Sequence, residues 1–217
     1  MSKNTASKRA FPTGGTRVNL ANALTGLRLL LAPVMAWAIV QQLWLVASLS
    51  MIVAIVTDVY DGKVARRQNR ESAFGGLFDH GTDAFFVSVG AWALAECALI
   101  TPWLWPCITL AFLQYALDSK ALAGHKLRTS LLGRYNGVAY YALVATAIGV
   151  QTLQLGLSVI AADHPAELGF AIGVVTFLNN AVFSAAWLLV ATSLISMTDR
   201  LYHALRRKPS EIRKPPI

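Results

Sequence analysis

Four aspartates lie in two close pairs within one short stretch of the chain. Asp58 and Asp61 are three residues apart and Asp79 and Asp83 are four apart, so on helices each pair projects from one face. Four converging carboxylates repel one another unless some are protonated or a cation lies between them. Hard oxygen ligands suit Mg²⁺, Mn²⁺ or Ca²⁺. Two such ions could be accommodated, and a metal pair bridging phosphate oxygens is a common device for displacement at phosphorus, so the pattern favours phosphate chemistry.

Small residues accompany the aspartates at helical spacing. Gly62 and Ala65 each lie one turn after an aspartate, and Gly75 lies one turn before Asp79, which leaves a shallow groove for a phosphate or nucleotide. Arg66 could clamp a phosphate at the edge of that groove. The alternative for the small residues is close helix packing in a membrane, and for the aspartates it is a solvated cytoplasmic loop.

The elements that carry these residues are predicted to be membrane helices. Of the 217 residues 55% are hydrophobic and 14% charged, with a mean hydropathy of +0.51, which is too apolar for an ordinary soluble domain. A span needs about 20 apolar residues. Six runs meet this requirement: 22–41, 43–66, 74–99, 102–123, 136–161 and 167–197. We expect an all-α integral membrane protein with a single domain over 1–217 and flexible tails at 1–16 and 208–217, in which span one stays attached because no small-residue cleavage site follows it.

The distribution of basic residues predicts the orientation of these spans. All 19 Lys and Arg residues fall before span one or in its first turns, around the connections of spans two and three and of spans four and five, or after span six. The other three connections contain none. By the positive-inside rule both termini and the four aspartates are cytoplasmic. The net charge of +8 could also indicate a nucleic-acid partner, but anionic lipid headgroups explain it better, and we expect no nucleic acid. The short chain fits a prokaryotic inner membrane.

The spacing of these residues resembles a family signature. The chain reads Asp58-x-x-Asp61-Gly62-x-x-Ala65-Arg66, eight residues, then Gly75-x-x-x-Asp79-x-x-x-Asp83, which is similar to the CDP-alcohol phosphotransferase signature at every fixed position. The segment from Asn19 through Arg28 to Pro33 also resembles the family's first span, although Ala21 stands where a proline is common.

This resemblance implies an enzyme of phospholipid biosynthesis with six spans, a polar cavity open to the cytoplasm, and usually a homodimer. A substituted phosphate group would pass from a CDP-alcohol, with CDP-diacylglycerol the first choice, to an acceptor alcohol, and CMP would be released. Asp58, Asp61 and Asp79 would bind Mg²⁺ or Mn²⁺, as two ions, and Asp83 would complete the site and act as general base. Contacts with the CDP moiety are implied for Gly62, Ala65, Arg66 and Gly75.

The acceptor alcohol is left open by the sequence. The context from Phe78 to Ala84 lacks the Asp-Pro-x-x-Asp-Lys form associated with glycerophosphate acceptors, which disfavours phosphatidylglycerophosphate synthesis without excluding it. His80 either touches substrate or packs beside the metal ligands. Basic residues between spans four and five either bind an acceptor's phosphate or act only as topology markers. They are Lys126, Arg128 and Arg134.

A divalent-cation transporter or channel is the rival interpretation of the four carboxylates. Its weakness is that all four lie toward one end of two helices, with no comparable cluster at the other end to complete a path. Cys97 and Cys107 are read as ordinary membrane-helix cysteines, with pairing across an outer loop as the alternative.

Overall fold

The computed structural model describes residues 15–68, 73–118, 131–161 and 168–206, with side chains described for most of them. Within these ranges every element is a helix and there is no strand. The helices are α1 (Gly15–Val40), α2 (Trp44–Gln68), α3 (Ala73–Glu96), α4 (Leu104–Asp118), α5 (Leu131–Ala161) and α6 (Leu168–Arg206).

Each helix overlaps most of one of the six apolar runs predicted from the sequence. The largest difference inside the described residues is at α6, which continues to Arg206 rather than ending at 197. No Gly or Pro occurs between Met197 and Arg206, so nothing in this segment stops the helix once the apolar run is over. The N-terminal tail is also shorter than predicted, because α1 begins at Gly15. Residues 119–123 and the C-terminal tail lie outside the described ranges.

The surface of the helices is apolar, and the buried core consists largely of small side chains. Two helical stretches, Leu132–Ile160 and Gly169–His203, are long and apolar enough to cross a membrane, and three shorter stretches are apolar. Large side chains stand on the outside, among them Leu45 at 66% and Phe170 at 84% exposure. Exposed apolar surface of this extent is typical of helices that face lipid. Both the fold and its surface therefore agree with a membrane protein.

The turn that ends α1 sends α2 back antiparallel to it. The Leu43 amide donates to the Ala38 carbonyl at 2.8 Å and the Gln42 amide to the Ile39 carbonyl at 2.9 Å. Gln42 has φ 58°, so the turn is a Schellman motif with a left-handed residue after the helix. The start of α1 and the end of α2 consequently lie at the same end of the molecule.

A second turn of the same kind ends α3. The Leu99 amide donates to the Leu94 carbonyl at 3.0 Å and the Ala98 amide to the Ala95 carbonyl at 2.9 Å. Ala98 has φ 56° and its side chain is exposed. A left-handed conformation at alanine costs about 1 kcal/mol relative to glycine, because the Cβ approaches the following carbonyl oxygen.

Close helix contact in the centre of the fold depends on a glycine. A Cβ added at Gly90 of α3 would lie 2.7 Å from Met35 Cε on α1 and 3.1 Å from Val144 Cγ1 on α5. Both neighbouring side chains are buried. Three helices therefore meet at this position, which lies about two turns after Asp83 on α3.

Hydrogen bonds donated by polar side chains join further helices. Gln114 donates to the Met197 carbonyl at 2.9 Å, which joins α4 to α6, and Gln151 donates to Asn179 at 2.8 Å, which joins α5 to α6. Such bonds are a common means of holding helices together in a membrane. Both cysteines are free thiols, so the pairing considered for Cys97 and Cys107 does not occur in this structure.

We expect Ala98→Gly to stabilise the protein, because glycine adopts the left-handed conformation without the Cβ penalty. The gain should be about 1 kcal/mol, read as a higher midpoint of thermal unfolding in detergent by tryptophan fluorescence. Ala98→Val at the same exposed position is the matched control and should lower the midpoint, since a β-branched side chain is disfavoured at positive φ. A fall with glycine would contradict the conformational argument.

Candidate active site

One arginine joins three of the four aspartates. Arg28 Nη1 donates to Asp58 Oδ1 at 2.8 Å and also to Asp83 Oδ1, and Nη2 donates to Asp79 Oδ1 at 2.8 Å. The arginine side chain is fully buried, whereas the side chains of Asp58, Asp79 and Asp83 are 47%, 42% and 25% exposed. The carboxylates thus line an accessible surface, and the guanidinium lies behind them.

Three helices place these four side chains at one level of the molecule. The turn after α1 brings Arg28, 12 residues before the end of α1, level with Asp58, 14 residues after the start of α2. Helix α3 packs against α1 and begins at the end of the molecule where α1 begins and α2 ends, so its first turns carry Asp79 and Asp83 to the same level. The four-residue spacing on α3 keeps its two carboxylates on one face, as the sequence predicted.

The donor set fits a divalent cation. Three carboxylates and one guanidinium leave the described cluster with a net charge of −2, which a divalent ion would neutralise. Asp79, His80 and Asp83 each offer a ligand atom, and these atoms lie within 4.8 Å of one another. Carboxylate oxygens are the ligands that Mg²⁺ and Mn²⁺ prefer in proteins. Asp58, Asp79 and Asp83, with His80 at the edge, are therefore the described residues that would hold a metal.

His80 borders the cluster and also packs against another helix. Its side chain is exposed, and its ring meets the edge of Tyr115 on α4 with 6.0 Å between the ring centroids. The guanidinium carbon of Arg200 on α6 lies 5.9 Å from the centre of the same tyrosine ring. Both interpretations of His80 from the sequence, contact with substrate and packing beside the ligands, fit this position.

Tyr141 on α5 adds a fourth helix to the site. Its hydroxyl donates to Asp83 Oδ1 at 3.4 Å, and its ring stacks on Phe86 with centroids 5.9 Å apart. Phe86 is fully buried one turn after Asp83 on α3. The stacking holds the tyrosine in place beside the aspartate that was predicted to act as a base.

Several predicted site residues belong to helix segments whose side chains are not described. Residues 61–66 lie in the last turns of α2 and Gly75 lies in the first turn of α3, on the sequence segments that lead into the cluster. The predictions for Asp61, Gly62, Ala65, Arg66 and Gly75 therefore stay predictions.

The predicted acceptor residues fall in and beside the connection between α4 and α5. Lys126 and Arg128 lie outside the described residues. Arg134 lies in the first turn of α5 with an exposed side chain, two residues before the buried Asn136. Its exposure agrees with either of its two interpretations, a phosphate ligand or a topology marker.

Two residues of the cluster were not singled out from the sequence. Arg28 was named as a basic residue near the start of span one and within the segment that resembles the family's first span, but it was given no role at the site, although a charge within an apolar span is itself a sign of function. Tyr141 carries no comparable signal, because a tyrosine in a membrane helix is ordinary. Only the packing of α5 against the core brings its hydroxyl to Asp83.

Comparison with known proteins agrees with the signature read from the sequence. The sequence profile described as CDP-alcohol phosphatidyltransferase matches residues 18–192, a range that contains Arg28, all four aspartates and Tyr141. Among the described residues, helices with apolar outer surfaces and one acidic cluster are consistent with a membrane protein. The chain belongs to the CDP-alcohol phosphatidyltransferase family, which confirms the family predicted from the motif.

Curated relatives differ in what their names say they transfer. CDP-diacylglycerol–glycerol-3-phosphate 3-phosphatidyltransferase of Cereibacter sphaeroides is 30% identical over 147 residues, 64% of each chain. Choline/ethanolaminephosphotransferase 1 of Arabidopsis thaliana is 43% identical over 58 residues, 25% of this chain and 15% of that protein. Cholinephosphotransferase 1 of Danio rerio is 39% identical over 64 residues, 28% of this chain and 17% of that protein.

The chain thus spans 64% of the bacterial relative and 15% to 17% of these two eukaryotic relatives. No solved structure matches the chain significantly.

Removal of the Tyr141 hydroxyl should weaken activity without harming the fold. In Tyr141→Phe the ring still stacks on Phe86, but one donor to Asp83 is lost. We expect kcat/KM to fall between about two- and tenfold, the equivalent of about 0.5–1.5 kcal/mol for one hydrogen bond.

Tyr140→Phe, one residue earlier, is the matched control. The Tyr140 hydroxyl pairs with Ser193 on α6 instead of with Asp83. This variant should lower the midpoint of thermal unfolding and leave kcat/KM unchanged. The reverse pattern in the two variants would show that the Tyr141 hydroxyl has no role at the site.

Proposed function

We propose that the protein catalyses metal-dependent transfer of a substituted phosphate group from a CDP-alcohol to an acceptor alcohol, with release of CMP. The observation that carries this proposal is the convergence of Asp58, Asp79 and Asp83 from two helices of the family signature onto one site. Packing alone does not explain three carboxylates in one place, because each negative charge loses solvent and repels the others unless a partner compensates it. A site for a cation and a phosphorylated substrate accounts for both the charge and the accessible face.

Each residue of the cluster has a proposed role. Asp58, Asp79 and Asp83 hold Mg²⁺ or Mn²⁺ together with Asp61, with two ions as the proposed number. When bound, the metal would supply charge withdrawal from the diphosphate and so favour the departure of CMP. Gly62, Ala65, Arg66 and Gly75 are proposed to contact the CDP moiety.

Asp83 is proposed as the general base. Arg28 and Tyr141 both donate to its Oδ1 atom, so we assign proton transfer to Oδ2. The carboxylate takes the proton of the acceptor hydroxyl while the acceptor oxygen bonds to the β-phosphorus. The bond between the β-phosphorus and the bridging oxygen breaks, and the electron pair leaves with CMP. The product is a phosphodiester of the donor's alcohol and the acceptor.

We also propose the arrangement in the membrane that the sequence predicted. All six helices would span, as a single domain over 1–217, with both termini and the aspartate cluster on the cytoplasmic side and a polar cavity open to it. The one-sided distribution of all 19 basic residues supports this orientation. A prokaryotic inner membrane and a homodimer are part of the same proposal, the second by family resemblance alone.

CDP-diacylglycerol is the donor we propose to test first. The relative whose name contains CDP-diacylglycerol aligns over 147 residues, whereas the choline-linked relatives cited above align over only 58 and 64. The longer alignment must include helices outside the signature, and these are the helices that would differ between donors. Glycerol 3-phosphate belongs among the acceptors tested because that relative's name includes it.

The transporter interpretation gains no specific support. Asp58, Asp79 and Asp83 lie at one end of the bundle, together with a buried arginine that would repel a permeating cation. The match to a transferase family accounts for the same residues.

Asp83→Asn should abolish turnover and spare CDP binding, because the amide keeps the size of the side chain but cannot accept a proton. We expect CMP release to fall at least about 100-fold, the lower range for loss of a general base. The assay uses purified protein in detergent with Mg²⁺ or Mn²⁺, CDP-diacylglycerol, and a panel of glycerol 3-phosphate, inositol phosphate, inositol, serine and choline.

Asp199→Asn is the matched control for this substitution. Asp199 is 60% exposed near the end of α6, and its described ion-pair partner is His203 rather than Arg28, so the control should keep full activity. Turnover retained in Asp83→Asn would rule out the base assignment. Metal-independent CMP release by the unaltered protein would rule out the metal site.

Charge reversal at Arg134 tests whether this residue binds an acceptor's phosphate or only marks the cytoplasmic side of the membrane. If Arg134 binds an acceptor's phosphate, Arg134→Glu should raise the KM for a phosphorylated acceptor at least about tenfold and leave the KM for the CDP-alcohol unchanged. An unchanged acceptor KM would identify Arg134 as a topology marker only. Arg200→Glu, a charge reversal on α6, tests whether a rise in the acceptor KM is particular to the start of α5.

A further inference from the structure

Arg28 is the only described cation that contacts the aspartate cluster, and its position is unusual for an arginine. Its side chain has 0% exposure, within a helix whose outer face is lined by exposed leucines such as Leu29 and Leu30. Arginine is among the residues least often fully buried, and burial of a charge is costly unless partners compensate it. A fully buried guanidinium on α1 must therefore serve the groups that it contacts.

The shape of the guanidinium explains how one side chain reaches three partners. Its donors are fixed in a planar fork, so Nη1 can reach both Asp58 and Asp83 while Nη2 reaches Asp79. Asp58 comes from α2 and the other two aspartates from α3. The arginine thus connects three helices through carboxylates that would otherwise repel one another. Lysine carries its three donors on one nitrogen, so it lacks the planar fork that presents donors to these groups from two separate nitrogens.

The atoms used in these ion pairs are the atoms that a metal would need. Arg28 contacts Oδ1 of each of the three aspartates, and Oδ1 or its neighbour Oδ2 is what each carboxylate offers to a cation. A divalent ion among these carboxylates would share them with the guanidinium and lie close to its positive charge. Two cations that share ligands disfavour each other's binding, and this coupling is reciprocal.

We propose that Arg28 is a positioning residue that serves as the resident counter-ion of the metal-free enzyme. It holds Asp58, Asp79 and Asp83 together across α1, α2 and α3 before metal is present. The same carboxylates give up part of their interaction with Arg28 when they bind metal. The arginine therefore stabilises the metal-free fold more than the metal-bound fold, and it weakens metal affinity. It also keeps the three carboxylates assembled before metal binds. This inference rests on the proposed metal-dependent function.

The test compares metal binding and stability in Arg28→Gln, Arg28→Lys and the unaltered protein. Purified full-length protein in detergent is titrated with Mn²⁺, and free Mn²⁺ is measured by electron paramagnetic resonance. Thermal midpoints are measured in EDTA and in saturating Mn²⁺. Arg134→Gln is the matched control, because it removes one positive charge from an exposed position at the start of α5.

Arg28→Gln should bind Mn²⁺ at least about fivefold more tightly than the unaltered protein, the lower range for coupled sites. Its thermal midpoint should fall further in EDTA than in Mn²⁺, because only the metal-free state has lost its counter-ion. Arg28→Lys should change the Mn²⁺ affinity and the thermal midpoints in the same directions, by smaller amounts. Arg134→Gln should show neither change.

Two results would overturn the proposal. Equal losses of thermal midpoint in EDTA and Mn²⁺, with an unchanged Mn²⁺ affinity, would mean that Arg28 is only a structural residue. Weaker Mn²⁺ binding in Arg28→Gln would mean that the arginine forms the metal site instead of substituting for the metal. If Arg28→Gln does not fold, Arg28→Lys decides: a Mn²⁺-induced rise in midpoint no greater than that of the unaltered protein overturns the proposal.

Failure of the proposed function gives a different result. An unaltered protein that binds no Mn²⁺ would remove the metal site itself. Binding by the unaltered protein with no difference in the Arg28 variants would remove only the role of Arg28.

Discussion

Compensation of charge where three helices meet is the constraint on which the arrangement of this protein depends. Asp58, Asp79 and Asp83 stand on elements whose other surfaces are apolar, and their mutual repulsion would drive α2 and α3 apart. The Arg28 guanidinium removes part of that repulsion from a fully buried position. A negative charge remains on the accessible side of the cluster, and it is this remainder that suits a divalent cation and a phosphorylated substrate.

The rest of the fold serves to keep these side chains at one level. Two Schellman turns reverse the chain after α1 and after α3, and each accepts a left-handed residue other than glycine, at Gln42 and Ala98. Gly90 allows α3 to approach α1 and α5 closely. Because α5 lies against this group, Tyr141 reaches the cluster from a fourth helix. The buried core is rich in alanine, and many of the large apolar residues face outward.

The comparisons with known proteins limit the reaction to the type catalysed by one family. The geometry of the cluster then supports the roles proposed for individual residues. Membership of the CDP-alcohol phosphatidyltransferase family directs attention to a donor diphosphate and an acceptor hydroxyl. Within the described residues Asp83 is the least exposed of the three carboxylates and receives two donors at one oxygen, which distinguishes it from Asp58 and Asp79. This asymmetry among three similar side chains is the physical reason to place the base at Asp83.

The sequence by itself determined the family, the number and place of the helices, and the two aspartate pairs, because each depends on short-range spacing or on hydropathy. The pairing of Asp79 with Asp83 follows from four residues on one helix. Only the tertiary structure decided that Arg28 lies between Asp58 and that pair, 30 to 55 residues away along the chain, and that Tyr141 joins them. Contacts over such separations depend on which helices pack together, and local spacing carries no record of that.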